Sequence, residues 1–259
     1  WALRIYKKVA GEWILVWWRA APDGWFAPDT SRVIILPGNP RADSRAWCFS
    51  RYIGFGYEGT IWVHESTSKA VNEYVFPEGQ TTGRSFPSIA KTQGCADNGT
   101  HVCVVDNDGN FLRYNKSTEI LESTTQISAD GLAGLLWNGT HFYTVCTKHK
   151  QNIYRIDNWN TTPVIGATLN RPTISARTGN GASYDNVNDM YYFSDDWNIM
   201  GGELNGAGDA FINQVTLNAI NLGPSEIDFI YQGNGYHDMI VQDNKGGFFA
   251  DNVFGLTGY

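Results

Sequence analysis

The chain has 259 residues, a formal net charge of -7 and a pI of about 5.2; aromatic residues make up 14%, charged residues 17%, and there are 28 glycines. An acidic chain lacks the basic footprint of non-specific nucleic-acid binding and has no electrostatic attraction to an anionic lipid surface. No apolar run approaches the roughly 18 residues of a membrane-spanning helix, and the aromatic- and glycine-rich, charge-poor composition favours short strands and tight turns.

The first residue is Trp1, and no charged, apolar and small-residue order typical of a signal peptide follows, so a processed product or part of a longer protein is expected. The longest apolar run, Trp13-Ile14-Leu15-Val16-Trp17-Trp18, has strand length. Leu3 to Ala20 reads as a hairpin turning at Ala10-Gly11. It either completes a sheet of the main body or forms a separate docking element. Pro22-Asp23-Gly24, Ala27-Pro28-Asp29 and Pro37-Gly38-Asn39-Pro40 then mark loops and turns. Residues 1–43 are therefore read as an N-terminal extension, able to tether the protein to neighbours, and residues 44–259 as the body.

The body repeats itself. Gly59-Thr60, Gly99-Thr100 and Gly139-Thr140 recur at a spacing of 40 residues. Each leads into an alternating apolar run: Ile61-Trp62-Val63, Val102-Cys103-Val104-Val105 and Phe142-Tyr143-Thr144-Val145. A polar turn and an aromatic-bearing strand follow each time: Tyr74-Val75-Phe76, Phe111-Leu112-Arg113-Tyr114 and Ile153-Tyr154-Arg155-Ile156. Met190 to Asp196 is a looser copy, and Asp238 to Phe249 aligns without gaps on His101 to Leu112. Units of roughly 40 to 50 residues match propeller blades. A lone four-stranded unit cannot bury both its faces, whereas radial stacking buries them. Asn-Gly before a β-rich run is a two-residue hairpin signal that needs φ > 0. The expected fold is an all-β propeller with about five visible four-stranded blades, or six with the N-terminal hairpin. A solenoid or a large sandwich competes, but solenoid coils are shorter and sandwiches lack this periodicity.

Nothing in the chain reads as a catalytic centre. No HExxH, GxSxG, P-loop or dinucleotide fingerprint occurs. His101 and His141 occupy the same repeat position, directly after Gly-Thr, which points to a scaffold role. Asp106-Asn107-Asp108-Gly109-Asn110 resembles the start of a calcium loop, which makes Asp106 and Asp108 weak metal candidates. The twelfth position, however, is Ser117 rather than Glu, and strands flank the segment, so an Asx-stabilised turn is the simpler reading. The carboxylates Asp185, Asp189, Asp195, Asp196, Glu226 and Asp228 would have to converge to serve acid–base chemistry. The four cysteines Cys48, Cys95, Cys103 and Cys146 contain no CxxC, which argues against zinc. Cys95 and Cys103 flank a turn closely enough for a disulfide, while buried free thiols are the simpler alternative. No cofactor is expected.

Four sequons occur, at Asn98, Asn115, Asn138 and Asn160, and Asn98 and Asn138 are also explained by their turns. The tips joining second to third strands share one face of a propeller. Here they are Glu65 to Lys69, Asp106 to Asn110, Lys148 to Lys150, Asp195 to Trp197 and Asp243 to Lys245. Lys148, His149, Asp195, Asp196, Trp197, Asp243 and Lys245 are accordingly the candidate contact residues, with Trp197 the better exposed stacking platform. Mixed charges with no common residue suit a protein or glycan surface better than one small cofactor.

The units Asn98 to Asp106 and Trp137-Asn138-Gly139-Thr140-His141-Phe142-Tyr143 resemble, in repeat style, the propellers of bacteriophage and other virion structural proteins, over roughly residues 51–254. WD40 and kelch signatures are absent. That resemblance implies a non-catalytic tail, nozzle or spike component at an extracellular or virion surface. Its partners would be protein neighbours in an assembly and a host-surface protein or glycan. A secreted lectin-like propeller and a propeller hydrolase are the alternatives.

Overall fold

The computed structural model describes residues 2–9, 12–20, 47–50, 59–65, 68–76, 80–88, 92–149, 152–172, 179–186, 188–195, 198–218, 226–233, 236–242 and 248–252. Every regular element among them is a strand. The chain opens with a two-stranded antiparallel hairpin, β1 (Ala2–Val9) and β2 (Glu12–Ala20). Five sheets follow in chain order. The first holds β3 (Trp47–Phe49), β4 (Gly59–Glu65), β5 (Ala70–Phe76) and β6 (Thr81–Pro87). The second holds β7 (Thr92–Asp97), β8 (His101–Asp106), β9 (Asn110–Asn115) and β10 (Ile120–Gln126). The third holds β11 (Leu132–Trp137), β12 (Phe142–Cys146), β13 (Asn152–Asp157) and β14 (Val164–Asn170). The fourth holds β15 (Gly179–Asp185), β16 (Met190–Asp195), β17 (Asn198–Leu204) and β18 (Phe211–Asn218). The last is three-stranded, with β19 (Glu226–Gly233), β20 (Tyr236–Gln242) and β21 (Phe248–Asn252).

Each sheet is an antiparallel meander, and its first strand meets the first strand of the next sheet. Contacts run from β3 to β7, β7 to β11, β11 to β15 and β15 to β19, and β19 meets β3. The ring is thereby closed, and the fold is the expected β-propeller. Four blades are four-stranded and the fifth has three strands. The N-terminal hairpin remains two-stranded, and β1 contacts β21.

The core lies between sheets, because alternate residues of a strand point to opposite faces. On β8, Val102 and Val104 pack with Trp62, Val71 and Phe86 of the first sheet. Cys103 and Val105, one residue out of step, pack with Leu135, Phe142 and Ile156 of the third sheet. Tyr143 and Val145 then meet Ala182, Tyr191 and Phe193 of the fourth. Each fully buried large side chain in these layers contributes about 1.5–3 kcal/mol. Radial position shows in the burial patterns: all of β12 is buried, whereas outer β10 alternates between exposed and half-buried.

The repeated turn differs in mechanism from the two-residue hairpin expected from Asn-Gly. Gly99 and Gly139 have φ of 98° and 100°, while Asn98 and Asn138 are not among the positive-φ residues. The asparagine works through its side chain instead. Asn98 Oδ1 accepts from the backbone N–H of Thr100 (3.0 Å) and His101 (2.8 Å). Asn138 Oδ1 accepts from Thr140 (2.9 Å) and His141 (2.8 Å). The 40-residue repeat is thus an Asx-braced loop between first and second strands. Gly59-Thr60, with Glu58 in place of asparagine, instead begins β4.

The suggested Cys95–Cys103 disulfide is not compatible with the register. Cys95 stands opposite Val104 and Cys103 opposite Ala96. The two thiols therefore lie on opposite faces of the second sheet, in different core layers. All four cysteines are buried.

Candidate functional site

A meander alternates its connections between two ends. The links between second and third strands share one end with the crossings from one sheet to the next. The second and third sheets show how this tip end is built. Gly109 in the tip between β8 and β9 accepts backbone hydrogen bonds from Ile127 (2.9 Å) and Ser128 (3.2 Å) of the crossing to β11. Thr147, after β12, donates its N–H to Gly131 O (2.8 Å) and its hydroxyl to Asn107 Oδ1 (3.3 Å). In these two sheets the described tip and crossing residues are therefore hydrogen-bonded to one another.

Lys148 and His149 stand at this end and converge on one carboxylate. Lys148 Nζ donates to Asp130 Oδ1 at 2.8 Å, and His149 Nε2 lies 3.4 Å from Asp130 Oδ2. The hydrogen bond from Lys148 holds the Asp130 carboxyl below its ordinary pKa, and the same bond raises that of Lys148. The side chains of Lys148 and His149 remain 68% and 55% exposed. Asp130 itself was not among the residues singled out in the sequence; the only local signal is the polar run Ser128-Ala129-Asp130-Gly131 before β11.

The acidic tip residues serve the turns. Asp106 is fully buried; its Oδ1 accepts from the N–H of Asp108 (2.8 Å) and Asn110 (2.9 Å), and its Oδ2 from Asn110 Nδ2 (2.8 Å). This is the Asx turn, not an open calcium loop. Asp108 shares that tip, exposed, and among the described residues no group of three or more His, Cys, Asp or Glu could hold a metal ion. Asp195 is also fully buried, and its Oδ1 accepts from Asn198 N–H at 2.7 Å. It braces its tip rather than projecting from it. Asp185, in the link between β15 and β16 at the other end of the fourth sheet, repeats the device with Asn188 (3.2 and 2.7 Å). Asp189 accepts from the Tyr184 hydroxyl at 2.7 Å. Asp196, Trp197, Asp243 and Lys245 lie outside the described residues.

At the other end, polar side chains join sheet to sheet. Lys116 Nζ donates to Asp97 Oδ2 (2.7 Å) in its own sheet and to Ser50 Oγ (3.2 Å) in the first. Arg84 of the first sheet bonds Glu119 (3.1 Å) and the Lys116 carbonyl in the second. Arg113 Nη1 reaches the Trp159 carbonyl of the third (2.9 Å), and Asn138 Nδ2 reaches the Tyr191 hydroxyl of the fourth (2.7 Å). His101 belongs to this bracing. Its Nε2 lies 3.2 Å from Glu122 Oε2, its Nδ1 is 2.9 Å from Thr100 Oγ1, and its ring packs edge-on to Trp159. His141 Nε2 lies 3.7 Å from Asp157. The equivalent histidines thus occupy equivalent bracing positions.

Arg171 escaped the sequence reading. It follows β14 at the tip end and is 4% exposed. None of its three guanidinium nitrogens has a hydrogen-bond partner among the described residues. Burial brings its pKa down to about 10, against the opposing pull of Asp195. Nothing in the local sequence Leu169-Asn170-Arg171-Pro172 distinguishes it from a surface arginine.

No family model matches the chain, and no curated protein matches it. Among solved structures it is similar to the glutaminyl cyclase of Myxococcus xanthus, with 14% identity, a TM-score of 0.56, and coverage of 83% of this chain and 93% of that one. At that identity the likeness shows the propeller fold alone.

Proposed function

We propose that this chain is a non-catalytic structural or binding propeller that contacts a protein or glycan partner through its tip end. The observation that carries this reading is the exposed Lys148 and His149 pair, held in place by Asp130. A cation whose position is already fixed loses less side-chain freedom when a partner docks. The contrast between the ends supports the choice of face, since the opposite end spends many polar groups on joining blades. The buried carboxylates Asp106 and Asp195 at the tip end, and Asp185 at the opposite end, support a scaffold reading of the acidic residues, because each braces its own turn. The finer assignment, a component of a virus or phage particle meeting assembly neighbours or a host surface, rests on the repeat style of residues 98–106 and 137–143.

The test is binding by the full chain to a glycan array and, by cross-linking and mass spectrometry, to its neighbours in the native assembly. Lys148→Glu should weaken that binding at least tenfold. Thr162→Glu, exposed at the opposite end between β13 and β14, should leave it unchanged. Equal binding by both variants, or cross-links confined to the opposite end, would remove the tip end as the contact face.

A further inference from the structure

Cys48 of β3 and Cys95 of β7 face one another across the boundary between the first two blades. Their Sγ atoms are 2.7 Å apart, although 47 positions separate them in the chain. Two unbonded sulfur atoms do not ordinarily pack so closely. The thiols are 3% and 2% exposed, enclosed by Trp62, Val71, Phe86 and Val104. The other two cysteines are placed elsewhere. Cys103 points into the next core layer, and Cys146 lies in that same layer on the third sheet.

We propose that Cys48 and Cys95 form a disulfide when the chain folds in the presence of a low-molecular-weight disulfide, and that this bond staples the innermost strands of blades one and two. The Cys48 thiolate attacks one sulfur of the small disulfide and expels the first small thiolate. The Cys95 thiolate then attacks the Cys48 sulfur of the mixed disulfide, forms the Sγ–Sγ bond and expels the second. The cysteine pair gives up two electrons, the small disulfide is reduced to two thiols, and the two cysteine protons are taken up by the released thiolates. Burial confines this exchange to the time before the first two sheets close on each other, and afterwards shields the bond from reductant. The pairing spans a long loop, so it restricts the unfolded chain strongly. The staple crosses one of the joints that the closed ring needs. It is independent of the tip-end proposal.

The test is refolding of the full chain in a glutathione redox buffer, followed by alkylation in denaturant and non-reducing peptide mapping. The expected result is a loss of about 2 Da relative to the reduced chain, two alkylated thiols at Cys103 and Cys146, and a linked pair of peptides carrying Cys48 and Cys95. The Cys103→Ser variant should keep the link. Dithiothreitol present during thermal unfolding should lower the midpoint of the oxidised protein by several degrees, and should not lower that of Cys48→Ser. Four alkylated thiols after oxidative refolding, or a link involving Cys103 or Cys146, would overturn the assignment. The mapping of the unmutated chain decides the matter even where the Cys48 variant fails to fold.

Discussion

Gly94 of β7 and Gly134 of β11 lie backbone against backbone where the second and third blades meet at the ring's inner edge. A Cβ built on Gly94 would sit 2.5 Å from the Gly134 carbonyl carbon and 2.7 Å from the Leu135 nitrogen. Those atoms are main chain and cannot swing aside. The two glycines are 40 residues apart, so the repeat places the same small residue at each partner of this contact. Gly94→Ala should therefore cost about 2 kcal/mol, the scale of overpacking a tight interior. Urea unfolding monitored by tryptophan fluorescence reads this directly. An unchanged midpoint would show that the inner strands stand further apart.

The bond between Lys116 and Asp97 gives a second prediction. The Asp97 side chain is fully buried and that of Lys116 is 12% exposed. Removing the cation takes the Lys116 ammonium away from a buried carboxylate and also severs the link to Ser50 in the first blade. Lys116→Met should cost about 3 kcal/mol. The double variant Lys116→Met with Asp97→Asn should recover part of that loss, because the buried negative charge is gone. A double-mutant cycle measured by denaturation checks both statements.

Acid sensitivity should have two stages. Burial lowers the His101 pKa below 6.5, overcoming the opposite pull of Glu122. The folded chain then binds fewer protons than the unfolded chain between the folded value and 6.5. The stability tied to His101 is complete above 6.5 and is lost as pH falls through the folded value. Glu122 is held below 4.5, first by the Asn115 hydrogen bond, and Asp157 below 3.8, first by the Arg155 hydrogen bond. Their contributions have the same sign and are lost in a lower window, as pH falls through their folded values. Thermal midpoints measured from pH 8 to pH 3 should decline in both ranges. His101→Gln should abolish the upper decline and leave the lower one in place.

Arg171 carries the fourth prediction. A buried guanidinium with no hydrogen-bond partner among the described residues is a desolvated charge, and replacing such a group by an apolar side chain of similar length is commonly neutral or stabilising. Arg171→Met should leave stability unchanged or raise it by about 1–2 kcal/mol. A loss above about 2 kcal/mol on thermal and chemical unfolding would mean that the charge attraction to Asp195 outweighs the burial of the guanidinium.

Much of the fold was legible because propeller blades are local. A strand pair separated by a four-residue turn writes itself into adjacent sequence, and Asn98-Gly99-Thr100-His101 recurs as Asn138-Gly139-Thr140-His141 with the same hydrogen bonds. The five tips between second and third strands also fall at the five places where polar residues interrupt the repeat. The details were less legible. Asp195 carries the same letters as an exposed acidic contact yet is buried, because Asn198 three residues on takes its carboxylate into the turn. Lys148 and His149 could be named, but Asp130 could not, since it comes from the crossing loop of the preceding sheet.

The sequence by itself determined the all-β class, the blade period and the places of the turns. These follow from alternation and from side chains reaching two or three residues along their own backbone. Only the tertiary structure decided that Cys95 meets Cys48 and not Cys103, that Gly94 meets Gly134, and that Arg171 is enclosed. Those relationships depend on how sheets stack around a closed ring. Stacking is set by the summed packing of whole faces, and a one-residue change in register sends a side chain into the opposite core layer.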